Sequence, residues 1–233
     1  MPEHHPIDRV VLGAQPLDGA VMVITKAPVA GRSKTRLCPP LTLDEACAVA
    51  WACVHDTLRA VAAVPAARHV LVLEGTAGEW VPPGFEIVAQ RGAGLDERLA
   101  AAFADVGGAA VVIAMDTPQV TAAVLADALG HVVVDINGHG ATAGPRAVYG
   151  AAADGGFWLL GLSDGVDPDA VFADIPMSVE TTGAVQLERL ADLGLPVHHL
   201  PPLRDIDVAD DLWAVADLVP DSDIGRLARS LRR

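Results

Sequence analysis

Short apolar runs recur along the chain, and between them lie longer segments in which apolar positions repeat every three or four residues. GAVMVIT (residues 19–25), HVLVLEG (69–75), GFEIVAQ (84–90) and AAVVIAMD (109–116) predict strands, the first and last of them apolar on both faces and therefore buried. RAVYGA (146–151) and FWLLGL (157–162), on either side of Gly155 and Gly156, predict two more, and LPVHHL (195–200) a last one. Helical spacing follows Thr42, where Thr42 and Glu45 have the separation of a capping box. It recurs over residues 95–106, after Thr121, near 179–193 and over 209–218. Strands alternating with helices predict a single three-layer α/β/α domain with a mostly parallel central sheet. The two continuously apolar strands, 19–25 and 109–116, should be neighbours at its centre. Residues 19–220 are expected to form that domain, with an N-terminal tail over 1–18 and a C-terminal helical tail over 221–233 whose RLARSLRR is solvated. INGHGATAGP (136–145) is the best candidate for a mobile loop.

Composition narrows the class. Of 233 residues 52% are hydrophobic and only 4% aromatic, so Ala, Val and Leu must build the core. Cys38, Cys47 and Cys53 are odd in number and lack C-x-x-C spacing, which disfavours a disulfide framework or a zinc site and fits a reducing cytoplasm. MPEHHPIDRV has no basic start followed by an apolar core, so no signal peptide is expected. No apolar run approaches the ~20 residues that cross a bilayer. Sixteen Lys and Arg stand against thirty Asp and Glu, a net charge of −14, which argues against nucleic acid or an anionic membrane as partner.

Against that charge, TKAPVAGRSKTRL (25–37) is an anomaly. It carries Lys26, Arg32, Lys34 and Arg36, and no acid lies between Asp18 and Asp44. The loop follows the first strand, at the sheet edge where ligands of α/β proteins bind. Backbone N–H groups near Gly31 and these cations suit phosphate oxygens. It is not a Walker A loop, because Ser33 rather than Gly precedes Lys34. A solvated loop balancing nearby acids is the alternative. In AMDTP (114–118), Asp116 ends a buried strand at the same edge, where a carboxylate can hold Mg²⁺ or Mn²⁺; an ordinary helix-capping Asp would look alike. In AAADGGFWLLGL (151–162), Asp154 precedes two glycines that let the backbone approach a ligand, although Asp-Gly is also a common turn.

Together KAPVAGRSKTRLCPPLT, GLDERLAAAF, AMDTPQV, GAAADGGFWLLGL, IPMSVETTG and LRDIDVADDL resemble a bacterial family of GT-A-like glycosyltransferases, long catalogued as a domain of unknown function. That family is similar to molybdenum-cofactor guanylyltransferases and to 2-phospholactate guanylyltransferase. The resemblance runs over residues 21–212. It implies a nucleotide-diphospho-sugar transferase (GT-A, Rossmann-like) fold, a nucleotide ligand and a divalent metal. By position it implies that Lys26, Gly31, Lys34, Thr35 and Arg36 bind nucleotide, that Asp116 holds metal, and that Asp154, Gly155 and Gly156 face donor or acceptor, with Asp154 the candidate general base. The chain departs from the family at Ala30, where Pro is usual, at Ala114 and Met115, at the residues before Asp154, and at Val208. The expected function is glycosyl transfer from a nucleotide sugar to a small-molecule acceptor. Nucleotidyl transfer to a phosphorylated metabolite is the alternative, and a non-catalytic nucleotide-binding protein the third reading. The first is favoured by the Asp-Gly-Gly-aromatic segment and by the scarcity of cations between residues 69 and 184, where only Arg91, Arg98 and Arg146 occur. The reading allows a homodimer.

Several residues carry less weight. Asp205 and Asp207 in RDIDVADDL could reach a metal but are more simply the acids of a helix N-terminus. Glu97 and Arg98 fit base contacts or a surface ion pair. His4 and His5 lie in the tail. His198 and His199 alternate on a strand, so at most one faces any site, and neither has a ligand partner at metal spacing in the sequence. Ser178, Thr181 and Thr182 suit a helix cap, and Trp158 and Trp213 the core.

Overall fold

The computed structural model describes residues 16–133 and 144–232. Seven strands form one sheet: β1 (Leu17–Lys26), β2 (Ala66–Glu74), β3 (Phe85–Ala89), β4 (Ala110–Ala114), β5 (Ala147–Ala152), β6 (Phe157–Leu162) and β7 (Val197–Leu203). Their order is β3-β2-β1-β4-β6-β5-β7. Only β6 runs antiparallel to its neighbours. The two strands expected to be adjacent are so: Val21, Met22 and Val23 of β1 pair with Val111, Val112 and Ile113 of β4.

The uninterrupted apolar runs have a direct cause. Successive side chains of a strand point to opposite faces, and here both faces are covered. Ala20, Met22 and Ile24 of β1, with Val70 and Val72 of β2, pack under α2 (Leu95–Val106), α4 (Pro168–Phe172) and α5 (Thr182–Asp192). Val21 and Val23, with Leu71 and Leu73, pack under α1 (Leu43–Ala62) and α3 (Ala122–Val132). This is the expected three-layer α/β/α arrangement with a mostly parallel sheet. Thr42 caps α1 and forms the capping box with Glu45. Among the described residues no helix is long and apolar enough to cross a membrane, and the three cysteines are free.

A third apolar cluster lies outside the sheet. It joins Leu37, the outer face of α1, Ile206, α6 (Ala209–Leu218) and α7 (Asp223–Leu231). The C-terminal segment expected to be solvated exposes Arg226, Arg229 and Ser230 but buries Ala228. The buried carboxylate of Asp56 on α1 anchors this helix by accepting from the N–H groups of Asp223 and Ile224, 3.0 and 2.9 Å away. A carboxylate at a helix N-terminus meets the free amides and the positive end of the dipole. The apolar spacing of Ile224 and Ala228 is diluted by arginines in the sequence, which hides this packing. The expected mobile loop falls largely on residues 136–143, and His4 and His5 on the tail; both lie outside the described residues.

Candidate functional site

A cavity of about 670 Å³ opens at the carboxyl ends of β1 and β4. The loop after β1 forms one wall. Its chain turns back at once: the N–H groups of Arg32 and Ser33 both donate to Val29 O at 3.0 Å, and Ser33 Oγ accepts from Val29 N–H at 3.0 Å. Gly31 sits at φ 76° in this turn, and Lys34 takes the left-handed conformation at φ 52°, which costs a non-glycine residue free energy. A single 3-10 turn, Thr35–Leu37, then drops Leu37 fully into the third apolar cluster.

That cluster assembles the site. Ile206, also fully buried there, lies between Asp205 and Asp207, and its N–H donates to Asp116 O at 2.9 Å. Burying Leu37 and Ile206 together therefore brings the cationic loop and the acids of residues 205–207 to the end of β4. The result is a buried ion network. Lys34, its side chain only 6% exposed, places Nζ 2.6 Å from Asp116 Oδ1 and 3.6 Å from Asp207 Oδ1, and donates to Ile206 O. Burial pulls the Lys34 pKa down, but the negative charge of Asp116 above all restores it, so the ammonium titrates above its usual value. Arg36 reaches the same Asp207 at 2.9 Å.

Three carboxylates, Asp154, Asp205 and Asp207, bring one oxygen each within 4.8 Å of one another. Burial, then the charges of Asp154, Asp207 and Asp116, push the Asp205 pKa up to about 6. Asp154 is the exposed member, and its Oδ1 accepts from Gly156 N–H at 2.8 Å. The next residue is a glycine by necessity: Gly155 has φ 91°, and a Cβ there would stand 2.2 Å from Glu180 O. Gly156 O accepts from Tyr149 Oη at 3.1 Å, which fixes the strand start from below.

Every residue singled out for the site lies on or beside this cavity, although the roles differ from residue to residue. Asp116 meets Lys34 as its nearest partner, and the close carboxylate triad is formed without it. Lys26 pairs with Glu74 at 3.3 Å rather than standing free. Thr35 and Arg36 are exposed at the mouth, and Arg32 makes no ion pair among the described residues. For Asp205 and Asp207 the sequence offers two roles, a metal contact or, more simply, the acids of a helix N-terminus. The acids of that turn are Asp210 and Asp211, and Asp211 Oδ2 accepts from Val208 N–H at 3.0 Å; the two earlier acids are thereby left to the cavity. Sequence reasoning missed the buried Thr117, whose Oγ1 has no hydrogen-bond partner among the described residues. Arg98, expected in a base contact or a surface ion pair, lines the cavity while paired to Glu74 and Gln90. The run Asp-Thr-Pro after a buried strand was the available signal for Thr117. Trp158 is buried as expected, with Nε1 donating to Pro201 O at 3.2 Å. Thr182 Oγ1 donates to Pro176 O and accepts from Val179 N–H, so it ties the preceding loop rather than capping α5.

The chain belongs to the family described as "Uncharacterized protein conserved in bacteria (DUF2064)", whose profile matches residues 54–179. No curated protein matches it. Among solved structures it is similar to a candidate nucleotide-diphospho-sugar transferase from Desulfovibrio desulfuricans G20, at 24% identity and a TM-score of 0.76 over 91% of this chain and 94% of that one. Looser similarity reaches Rv0371C from Mycobacterium tuberculosis H37Rv in complex with manganese, at 19% identity and a TM-score of 0.45 over 86% and 98% of the two chains. It also reaches a nucleotidyl transferase from Methanothermobacter thermautotroptrophicus, at 17% and 0.49 over 92% and 99%. The first match establishes the nucleotide-diphospho-sugar transferase fold; the looser two add nothing to it.

Proposed function

We propose that this family member is a metal-dependent glycosyltransferase-like enzyme, acting in the cytoplasm on a nucleotide-sugar donor and a small-molecule acceptor. One observation carries the reading: a single cavity joins a wall of cations from the loop after β1 to a wall of four carboxylates, Asp116, Asp154, Asp205 and Asp207. Such a pairing suits a diphosphate bridged to protein through a divalent ion, and it is an unusual arrangement for mere solubility in a chain of net charge −14.

The residues fit the metal that the reading requires. Carboxylate oxygens are the hard ligands that Mg²⁺ or Mn²⁺ takes, and the buried hydroxyl of Thr117 beside Asp116, without a hydrogen-bond partner among the described residues, marks this end of the cavity as shaped for an occupant. Asp205 and Asp207, flanked by Asp116, would hold the ion, which when bound supplies positive charge to the diphosphate. Lys26, Gly31, Lys34, Thr35 and Arg36 bind the nucleotide phosphates. Lys34 and Arg36 exchange part of their contact with Asp207 for phosphate oxygens. The acceptor hydroxyl oxygen attacks the anomeric carbon, the bond from that carbon to the diphosphate breaks, and the acceptor proton passes to Asp154. Asp154 suits this role because it is the exposed carboxylate of the four and is oriented by the Gly156 N–H. Gly155 and Gly156 keep the backbone low where donor and acceptor meet.

Nucleotidyl transfer is the second reading. Arg98 favours it, since folding brings this cation to the cavity wall where a third phosphate would need one. A panel of nucleotide sugars and nucleoside triphosphates with Mn²⁺ separates the two. Slow Mn²⁺-dependent release of nucleoside diphosphate from one sugar donor is the expected result. Pyrophosphate release from a triphosphate with a phosphorylated acceptor, and no turnover of any nucleotide sugar, would replace the first reading by the second.

A further inference from the structure

The opposite edge of the sheet holds a cluster that the proposed reaction does not use. His131 lies in the last turn of α3, four residues and one helical turn after Asp127. His198 is the second residue of β7, at the amino end of that edge strand. Residues i and i+4 of a helix share a face, and here that face looks onto β7. The imidazole rings of His131 and His198 stack with centroids 3.5 Å apart and planes 18° from parallel. Both point Nε2 at one carboxylate: His131 Nε2 is 3.7 Å from Asp127 Oδ1, and His198 Nε2 is 3.8 Å from Asp127 Oδ2.

These separations are too long for hydrogen bonds. They are the separations of atoms that share a metal. Ligand atoms about 2.1 Å from a common Zn²⁺ stand roughly 3.4 Å apart at a tetrahedral angle and at most about 4.2 Å apart. The three groups bring one donor atom each within 4.8 Å of one another; because imidazole lone pairs lie in the ring plane, holding one ion takes the two half-exposed rings out of their stack so that both Nε2 atoms converge on it. Two imidazoles and one carboxylate select a borderline ion of the Zn²⁺ class and disfavour Mg²⁺, which prefers oxygen. Sequence spacing hid the cluster, because residues 131 and 198 are brought together only by the packing of α3 beside β5 and β7.

We infer that Asp127, His131 and His198 form a second metal site, for Zn²⁺ or a similar d-block ion, which ties the C-terminal turn of α3 to the edge strand β7. It is separate from the cavity at the carboxyl edge and from the oxygen-ligand ion proposed there. With three protein ligands it leaves a position for water.

The test is a Zn²⁺ titration of the full chain by calorimetry in excess Mg²⁺, which occupies the carboxylate cavity. The parent should bind one Zn²⁺ equivalent and gain thermal stability on binding it. H131A, H198A and D127N should each weaken binding at least tenfold, while Asp205→Asn binds as the parent does. Co²⁺ in place of Zn²⁺ should give visible absorption in the parent and lose it in H131Q. All three ligand positions are partly exposed, and circular dichroism checks that each variant is folded. Unchanged Zn²⁺ affinity in H131A and H198A, or loss of the Zn²⁺ equivalent in Asp205→Asn alone, overturns the site.

Discussion

The two edges of the sheet present opposite chemistry. At the carboxyl edge, cations and carboxylate oxygens converge on one large cavity. At the amino edge, two imidazoles and one carboxylate form a small, partly exposed cluster. The first arrangement rests on loops that follow strands and on an apolar anchor beneath them. The second rests on a helix face meeting an edge strand. A site that must admit and release a phosphorylated ligand needs mobile, charged loops over a rigid base. A tie between two elements needs only side chains already fixed by those elements.

The sharpest way to break the contrast is at the buried charge. Asp116→Ala removes the nearest partner of Lys34 and leaves an ammonium 6% exposed with Asp207 and a carbonyl only. Unpairing a buried charge costs about 3–5 kcal/mol, and the remaining partners put this variant at the low end, near ~3 kcal/mol. Mn²⁺-dependent nucleotide binding should be lost by calorimetry, and the melting temperature should fall by roughly 6–12 °C for a domain of this size. A variant that binds nucleotide and Mn²⁺ as the parent does would return Asp116 to the role of a turn residue.

Ile206→Ala probes the anchor instead of the charge. Ile206 is fully buried between the two acids and shares its cluster with Leu37. The truncation should destabilise by about 2–4 kcal/mol as measured in denaturant. It should also weaken nucleotide binding severalfold, because loop and acids lose their common footing. A variant that loses stability with unchanged nucleotide affinity would show that the loop and the acids are positioned independently. The amino-edge cluster, which has no such footing, should keep its Zn²⁺ affinity in this background.

How much of this was legible in the chain depends on how local each feature is. Strand alternation over both faces made β1 and β4 readable as central neighbours, since the apolar residues are consecutive. The Thr42 and Glu45 capping box spans four residues and marks the start of α1. Lys34, Asp116 and Asp154 each follow or precede a strand end, so the edge of the sheet gathers them without further information. Asp205 and Asp207 were harder, because they precede a helix and sequence does not tell which acids will serve its first turn. Asp211 does so, reaching back to Val208, and only the register of that one hydrogen bond frees the other two. The pairing of Lys34 with Asp116 and Asp207 depends on Leu37 meeting Ile206 across most of the chain. His131 and His198 were opaque for the same reason.

Asp205→Asn carries a smaller effect, and its sign follows from the raised pKa. Asp205 titrates near 6 when folded, against about 3.9 for an ordinary Asp. The folded state thus holds the proton more tightly than the unfolded one. Stability contributed by that proton is present at low pH and is lost as pH rises from about 4 through about 6. In metal-free protein the Asn variant should therefore be more stable than the parent at pH 7–8. The gain should be no more than about 1 kcal/mol, because the group is only half-buried and solvent screens it. It should vanish near pH 4, and Mn²⁺ should stabilise the parent more than the variant. A variant less stable than the parent at pH 8 without metal would mean that Asp205 is held by a positive partner and not crowded by its neighbouring acids.

His198→Ala sets the other end of the scale. The ring is 40% exposed and touches His131 and Asp127 at distances longer than hydrogen bonds. In chelator-treated protein its removal should change stability by no more than about 0.5 kcal/mol, as for other surface substitutions. Turnover at the carboxyl edge should be unchanged, since the cluster lies across the sheet from the cavity. With Zn²⁺ present the two proteins should separate, because only the parent gains the stabilisation of a bound ion. A loss of several degrees without any metal would instead make the stacked rings a packing contact of β7. That result would also remove the contrast between the edges, leaving one charged site on a fold whose other edge is held by side-chain packing alone.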